Sequence, residues 1–340
     1  MRTKAERAKG ATLRPLAPRD LAQVVAIDTA LSGRRRGAYF ERRLAAARRR
    51  PELHAQLAVD EKGALAGYVL ARLMQGEFGR AEPALRLEVI GVKGAAQGRG
   101  LGAVLARALE DEAGRRGAHE LRTAAVWRDH ALLGFLDAQG WSLGRNLVLE
   151  CALADSPLGS PDEAPVAVPQ AERGPADRND YGAPAPNDFE ALARDSAELR
   201  TLAAGDLDDI ARIDRRLSGR DRRAYLAARL EEALEDAALR LSLLARLEGT
   251  AAGFLMASAD YGDFGRAEPA AILDTVGVDP GFARRGVGHA MLSQLFLNLR
   301  ALGIERIETV VGPANPDLFA FLAGAGFRPG ERLAFVKRLP

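Results

Sequence analysis

The chain has 340 residues, too many for one ordinary core and suited to two domains of about 150 residues each. Apolar residues make up 47% and charged residues 28%, proportions that exclude a disordered or fibrous chain. Lys and Arg number 48 against 46 Asp and Glu, with one Cys and four scattered His, so nothing points to nucleic acid, an anionic membrane, a disulfide framework or a metal site.

In chain order, the charged start MRTKAERAKG has no apolar stretch behind it and no run elsewhere is long enough to span a bilayer, which points to a cytoplasmic protein. ATLRPL reads as a strand. Ala17 to Ala30 reads as a helix with Leu21, Val24, Val25 and Ile27 on one face, and Tyr39 to Arg49 as a second helix. Leu53 to Val59 and Ala66 to Leu73 are strands joined by the turn DEKG, and Leu85 to Val92 is a third strand. Gly100 to Arg116 is a helix whose Leu101, Val104, Leu105, Ala108 and Leu109 form one buried stripe, followed by a strand at Glu120 to Val126. This order implies an α/β (α+β) fold, a mixed and mostly antiparallel central sheet flanked by helices. Cys151, in the strand-like LVLECAL, reads as a buried structural thiol.

The whole pattern then repeats. GEFGRAEPA at Gly76 returns as GDFGRAEPA at Gly262, an offset of 186 that also pairs Asp28 with Asp214, LSGR at Leu31 with LSGR at Leu217, Gly100 with Gly286 and Leu147 with Leu333. A repeat of this length is a duplicated domain. The expected boundaries are 1–152 for the first copy, 153–189 for a Pro/Ala/Asp-rich linker dispensable for folding, and 190–340 for the second copy.

Directly after the third central strand, each copy enters its helix through a glycine-rich turn, VKGAAQGRGLG from Val92 and VDPGFARRGVG from Val278. Glycines let backbone N–H groups converge, and the helix N-terminus adds partial positive charge, which together form a diphosphate cradle. Its members are Val92, Gln97, Gly98, Arg99, Gly100, Leu101 and Gly102 in the first copy, and Val278, Arg284, Arg285, Gly286, Val287 and Gly288 in the second. A dinucleotide fingerprint would follow the first strand of a βαβ unit, whereas this turn follows the fourth strand.

The string VDPGFARRGVGHAML, preceded by ILDTVG, resembles the acetyl-CoA-binding signature of the GNAT N-acetyltransferases, usually Q/R-x-x-G-x-G/A. Gln97, Gly100 and Gly102 match it, as do Gly286 and Gly288, with Ala283 in the first position of the second copy. The resemblance covers both copies, including FLDAQGW and FLAGAGF. It implies two tandem GNAT-like domains, each with a splay between its fourth and fifth strands that takes the pantetheine arm of acetyl-CoA as co-substrate. It also implies an amine acceptor, either a small molecule or a protein amine, and no metal, nucleic acid or membrane partner. The chain would then be a monomer with pseudo-two-fold repeats or a homodimer. Where the family commonly has a Tyr to protonate the departing thiolate, this chain has Leu136 and Leu322.

Deprotonating the acceptor ammonium calls for a carboxylate, and each copy has one on the strand before its cradle, Glu88 and Asp274. Strand alternation puts Asp274 beside Ile272 and Val276, an apolar setting suited to a base, and puts Glu88 beside Arg86. Glu77, Glu82, Asp263 and Glu268 of the repeated loop would form an acidic rim, while LSGR, Tyr39 and Tyr225 read as structural. Three functional readings stand: an N-acetyltransferase working by direct amine attack, an acyl-CoA-binding scaffold, and one catalytic copy with one structural copy. The sequence further leads us to expect that both cradles bind CoA and that the second copy carries most of the chemistry.

Overall fold

Two residues, Lys62 and Gly63, suffice to reverse the chain between β2 (His54–Glu61) and β3 (Ala64–Met74), whose register runs from His54 opposite Arg72 to Glu61 opposite Ala64. This hairpin forms the second and third strands of a seven-stranded sheet seen in the computed structural model, which describes residues 10–74, 83–158, 194, 196–235, 241–260, 270–313 and 315–340. The repeated loops holding Glu77, Glu82, Asp263 and Glu268, and most of the expected linker, lie outside the described residues.

The first half of the chain supplies β1 (Ala11–Pro15), α1 (Leu21–Ser32), α2 (Gly37–Arg49), β2, β3, β4 (Ala84–Val92), α3 (Leu101–Arg115), β5 (Glu120–Val126), α4 (His130–Ala138) and β6 (Ser142–Leu143). Next come β7 (Leu147–Ala152), β8 (Glu198–Thr201), α5 (Leu207–Ser218), α6 (Arg223–Glu235), β9 (Leu243–Leu247), β10 (Thr250–Asp260) and β11 (Ala270–Val278). The chain ends with α7 (Val287–Ala301), β12 (Arg306–Val311), α8 (Pro316–Gly324), β13 (Arg328–Pro329) and β14 (Arg332–Arg338). The sheets have the orders β1-β2-β3-β4-β5-β14-β6 and β13-β7-β12-β11-β10-β9-β8, and each belongs to one of two compact units.

In the first unit α3 lays Leu101, Leu105 and Leu109 on one face of the sheet against Val59, Val69, Leu85 and Leu121. On the other face α1 and α2 bring Val24, Ile27 and Phe40 against Ala58, Tyr68 and Leu70. The helical stripes expected from the sequence are therefore the buried ones, with Val104 and Leu21 at their half-buried margins.

The expected boundaries change at the last strand of each copy. β14, from the end of the chain, completes the first sheet, pairing with β5 over seven residues from Arg332 opposite Val126 to Arg338 opposite Glu120. β7 takes the corresponding place in the second sheet, next to β12. Leu147 and Leu333 are equivalent in the repeat, so the two strands present the same alternation, and no local pattern tells either one which sheet to join. A fragment of residues 1–152 therefore lacks a strand of the first sheet. Cys151 on β7 is buried, and burial pushes its thiol up to about 11, in keeping with the structural role expected. No helix among the described residues is long and apolar enough to cross a membrane.

Candidate active site

The parallel strands at the centre of the first sheet, β4 and β5, pair only from Ala84 opposite Glu120 to Arg86 opposite Arg122. Beyond that point they part, although β4 runs on to Val92 and β5 to Val126. Thr123 Oγ1 donates to Leu87 O at 2.9 Å where the ladder ends. The second unit repeats this: β11 and β12 pair at Ala271–Ile307 and Ile272–Glu308, and Thr309 Oγ1 donates to Leu273 O at 2.8 Å. A buried hydroxyl thus stands in for the next ladder bond and sets where each splay opens. Glu88 lies at a β-bulge, since the register against β3 steps from Val89–Leu70 to Leu87–Ala71. Such a bulge redirects the strand beyond it.

From the splayed end of β4 the chain makes one turn of 3₁₀ helix, Gly94–Ala96, and enters α3 through Gly98 at φ +72° and Gly100 at φ +88°. Both are left-handed conformations that glycine adopts without a steric penalty. Gln97 Nε2 donates to Val92 O at 3.1 Å, so this side chain braces the turn. The first N–H groups of α3 have no acceptor within the helix, and Val104 N to Gly100 O is its first bond. Gly102 has a different task, because a Cβ there would stand 2.9 Å from Phe135 of α4. Gly288 stands in the same relation to Phe321, at 3.1 Å.

A cavity of about 530 Å³ occupies this end of the first unit. Of the expected cradle, Val92, Gln97, Gly98, Gly100, Leu101 and Gly102 line it. Arg99 does not; it pairs with Glu61 at 2.8 Å, an exposed bond of the kind worth about 0–1 kcal/mol. Asp28, Leu31, Ser32 and Arg36 of α1 and the turn after it also line it. Asp28 and Arg36 are buried and paired, Nε donating to Oδ2 at 2.8 Å and Nη2 to Oδ1. Tyr68 OH donates to Asp28 Oδ1 at 3.2 Å. Burial above all, then the Asp28 charge, raises the Tyr68 pKa well above 10, so the hydroxyl keeps the proton it donates. Burial works against the Arg36 charge, but the bond and charge of Asp28 outweigh it and raise its pKa.

Sequence reasoning read LSGR as structural, and its glycine is: Gly33 ends α1 at φ +74° with its N–H on Thr29 O. The neighbouring Asp28, Leu31, Ser32 and Arg36 were missed as cavity residues. The signal was present, because Asp28, LSGR and the Arg eight residues after the Asp all recur at the same offset.

Each carboxylate expected to act as a base has a basic partner. Glu88 is buried, pairs with Arg43 of α2 at 2.9 Å, and is not part of the cavity wall. Asp274 is not in an apolar setting: it pairs with Arg229 and accepts from Ser258 Oγ at 3.3 Å. In both cases a basic residue of the second helix reaches the strand, a contact that strand alternation cannot foresee. Leu136 and Leu322 are fully buried, so neither position offers a proton to the cavity.

The second cradle keeps the backbone of the first. Arg284 takes the place of Gly98 at φ +61° and Gly286 that of Gly100 at φ +80°, although a left-handed residue with a side chain costs about 1–2 kcal/mol. Arg285 pairs with Glu248 at 2.7 Å, Val287 is buried in the core, and Val278 ends β11. Asp279, fully buried at the start of the turn, accepts from Gly281 N at 2.9 Å and from Arg212 and Arg216 of α5, each at 2.8 Å. Ser196 Oγ lies 3.8 Å from where a Gly286 side chain would begin, and Leu217 Cδ1 lies 2.9 Å from the same point on Gly277.

A mixed sheet splayed between two parallel strands, with a glycine turn at the mouth of the splay leading into a helix, is an α/β arrangement that this chain contains twice. The sequence pattern of the acetyltransferase (GNAT) family matches residues 23–141 and again 207–327. The chain therefore belongs to the GNAT acetyltransferase family, with two tandem domains. Among solved structures, a tandem GNAT protein from the clavulanic acid biosynthesis pathway is similar at TM-score 0.60 and 17% identity, over 96% of this chain and 98% of that one. A GCN5-related N-acetyltransferase from Sphaerobacter thermophilus is similar at 0.53 and 16%, over 96% and 95%. A GCN5-related glucosamine N-acetyltransferase region of a fungal multi-domain β-N-acetylglucosaminidase gives 0.62 and 14%, over 96% of this chain but only 38% of that longer one. No curated protein sequence matches the chain.

Proposed function

We propose that the first unit binds acetyl-CoA and transfers its acetyl group to a primary amine, and that the second unit is the structural copy. The observation that carries this reading is the cavity at the splayed end of β4, lined by the glycine turn and by Asp28 and Arg36. The turn suits a diphosphate, since Gly98 has open space where a side chain would begin, and free helix N–H groups adjoin it. In the second unit Arg284 takes the place of Gly98, Ser196 Oγ lies 3.8 Å from where a Gly286 side chain would begin, and Asp279 at the start of the turn is met by Arg212, Arg216 and the Gly281 N–H.

The acceptor ammonium gives one proton to the carboxylate it meets, the amine nitrogen attacks the thioester carbonyl carbon, the C–S bond breaks, and the CoA thiolate leaves and takes up the second proton, which the nitrogen sheds as it becomes an amide. The ionisable groups of the cavity wall are Asp28, Arg36 and Asp129, and Asp129 caps α4 by accepting from Leu132 N at 3.0 Å. Asp28 is thus the carboxylate that meets the acceptor ammonium, in place of Glu88 or Asp274.

CoA release with acetyl-CoA and a panel of primary amines tests this. Asp28→Asn is expected to lower kcat/KM about 100-fold with acetyl-CoA affinity little changed, whereas Glu88→Gln and Asp274→Asn each cost less than about 10-fold. If Asp274→Asn is the damaging change, the chemistry belongs to the second unit. Stoichiometric acetyl-CoA binding without release by any amine would make the protein an acyl-CoA-binding scaffold.

A further inference from the structure

The buried pair on the acceptor side of the cavity has bonding capacity left over, and that remainder describes a ligand. Arg36 uses Nε and Nη2 on Asp28, while its Nη1 is buried with no hydrogen-bond partner. The residue as a whole is only 6% exposed, and it forms part of the cavity wall. Buried donors of this kind are rare in folded proteins, and each calls for an explanation. The Tyr39 and Phe40 rings, with centroids 5.2 and 5.6 Å from the guanidinium carbon, fix the plane of the group without supplying a lone pair.

Asp28 has the complementary remainder. Its Oδ1 accepts from both Arg36 Nη2 and Tyr68 OH, whereas Oδ2 accepts from Arg36 Nε alone. A carboxylate oxygen can accept two hydrogen bonds, so Oδ2 keeps one site. One ion pair therefore offers an acceptor of negative character and a charged donor, both held in place by packing.

We propose that this pair recognises an acceptor carrying its primary amine a few bonds from a carboxylate or carbonyl oxygen, as amino acids and peptide N-termini do. The ammonium meets Asp28 Oδ2 and the oxygen meets Arg36 Nη1. The assignment rests on the reading of the first unit as the acetyltransferase site and adds the chemical class of its acceptor. Arg36 is a specificity-determining residue in this scheme. It takes no part in bond making.

The experiment is steady-state CoA release from the full chain with acetyl-CoA and glycine, β-alanine or glycylglycine, each compared with ethylamine. Acetyl-CoA affinity is measured in parallel by calorimetry. The wild-type KM for the oxygen-bearing amines is expected to lie about 10-fold or more below that for ethylamine, and Arg36→Met, which also frees Asp28, is expected to raise both KM values and to raise the former by so much more that the difference is erased. The acetyl-CoA affinity should stay within about two-fold. Preference for glycine or for glycylglycine then separates free amino acid from peptide terminus as the source. Equal use of ethylamine by the wild type overturns the proposal, and that comparison holds even if Arg36→Met does not fold. Weakened acetyl-CoA binding in Arg36→Met also overturns it, by giving Arg36 to the thioester substrate. If no amine releases CoA, the acetyltransferase reading fails. Titration of glycine and ethylamine into the CoA-bound protein then decides the recognition alone, and equal or absent binding overturns it.

Discussion

In the first unit the glycine turn starts from Lys93, faces a cavity and leaves the helix N–H groups of α3 to whatever enters it. In the second it starts from Asp279, whose carboxylate gathers Arg212, Arg216 and the Gly281 N–H from within the unit. The corresponding positions of α1 are Ala26 and Ala30, which offer nothing to bind. Backbone conformation is thus shared, down to the paired left-handed residues, while the charges that satisfy the turn come from different sources. A duplicated domain can keep the shape of a binding loop for packing reasons alone, as Phe321 against Gly288 shows. Retained glycines are then evidence of fold, and the side chains around them are evidence of use.

The sharpest way to break that comparison is to block each turn in the same manner. Gly100→Glu and Gly286→Glu both place a side chain on a left-handed residue, at φ +88° and φ +80°, so their backbone penalties are similar. Calorimetry with acetyl-CoA is expected to show one equivalent bound by wild type, a loss of affinity of about 100-fold or more in Gly100→Glu, and a change of less than about two-fold in Gly286→Glu. Two equivalents in the wild type, each removed by one substitution, would restore the symmetric reading in which both cradles bind.

A smaller effect is expected where the second unit satisfies its own turn. Burial is the largest influence on Asp279 and opposes its ionisation, but the Gly281 N–H and the Arg216 and Arg212 guanidiniums together hold its pKa below the usual 3.8. A carboxylate depressed in the folded state adds stability above its unfolded pKa and loses it as pH falls through the folded one. Asp279→Asn is therefore expected to cost about 1–3 kcal/mol in urea unfolding at neutral pH, with the difference from wild type shrinking as the pH falls below 3.8. The exposed side of the comparison is Lys93, whose replacement by Ala should change little. A pH-independent deficit in Asp279→Asn would mean that shape and not charge holds the turn.

How much of this the sequence disclosed depended on the range over which each feature is encoded. The repeat, the buried helical stripes, the hairpin at Lys62 and the glycine turns are written within a few residues of one another, and all were legible. The exchange of β7 and β14 was not, because equivalence under the repeat makes the two strands interchangeable by pattern. The bulge at Glu88 shifts side chains between faces in a way that strict alternation cannot anticipate, and the reach of Arg43 and Arg229 onto β4 and β11 depends on helix placement. Asp28 and Arg36 were visible only as a repeated spacing. A spacing shared by both copies speaks for the fold before it speaks for the site, which is why the motif read as structural.

The last test turns on a polar atom that the repeat itself varies at this pair. Tyr68 of the first unit is Phe254 in the second, and both are fully buried, so the surrounding fold accepts either ring. The Tyr68 hydroxyl holds Asp28 by one hydrogen bond, and a Cβ at Gly91 on the cavity wall would stand 3.0 Å from that oxygen. Tyr68→Phe removes the bond without creating a void of any size. It is expected to cost about 1 kcal/mol of stability, a shift of a few degrees in Tm, and to raise the acceptor KM about three- to ten-fold by freeing Asp28 to tilt. Because the Tyr68 pKa lies above 10 in the folded chain, wild type should lose stability as pH rises past that value, whereas Tyr68→Phe should not. Phe254→Tyr, made as the mirror change, should leave turnover unaltered, since Asp214 and Arg222 of the second unit adjoin no reaction in this reading. A rise in acceptor KM from Phe254→Tyr equal to that from Tyr68→Phe would show that the two units share the work after all.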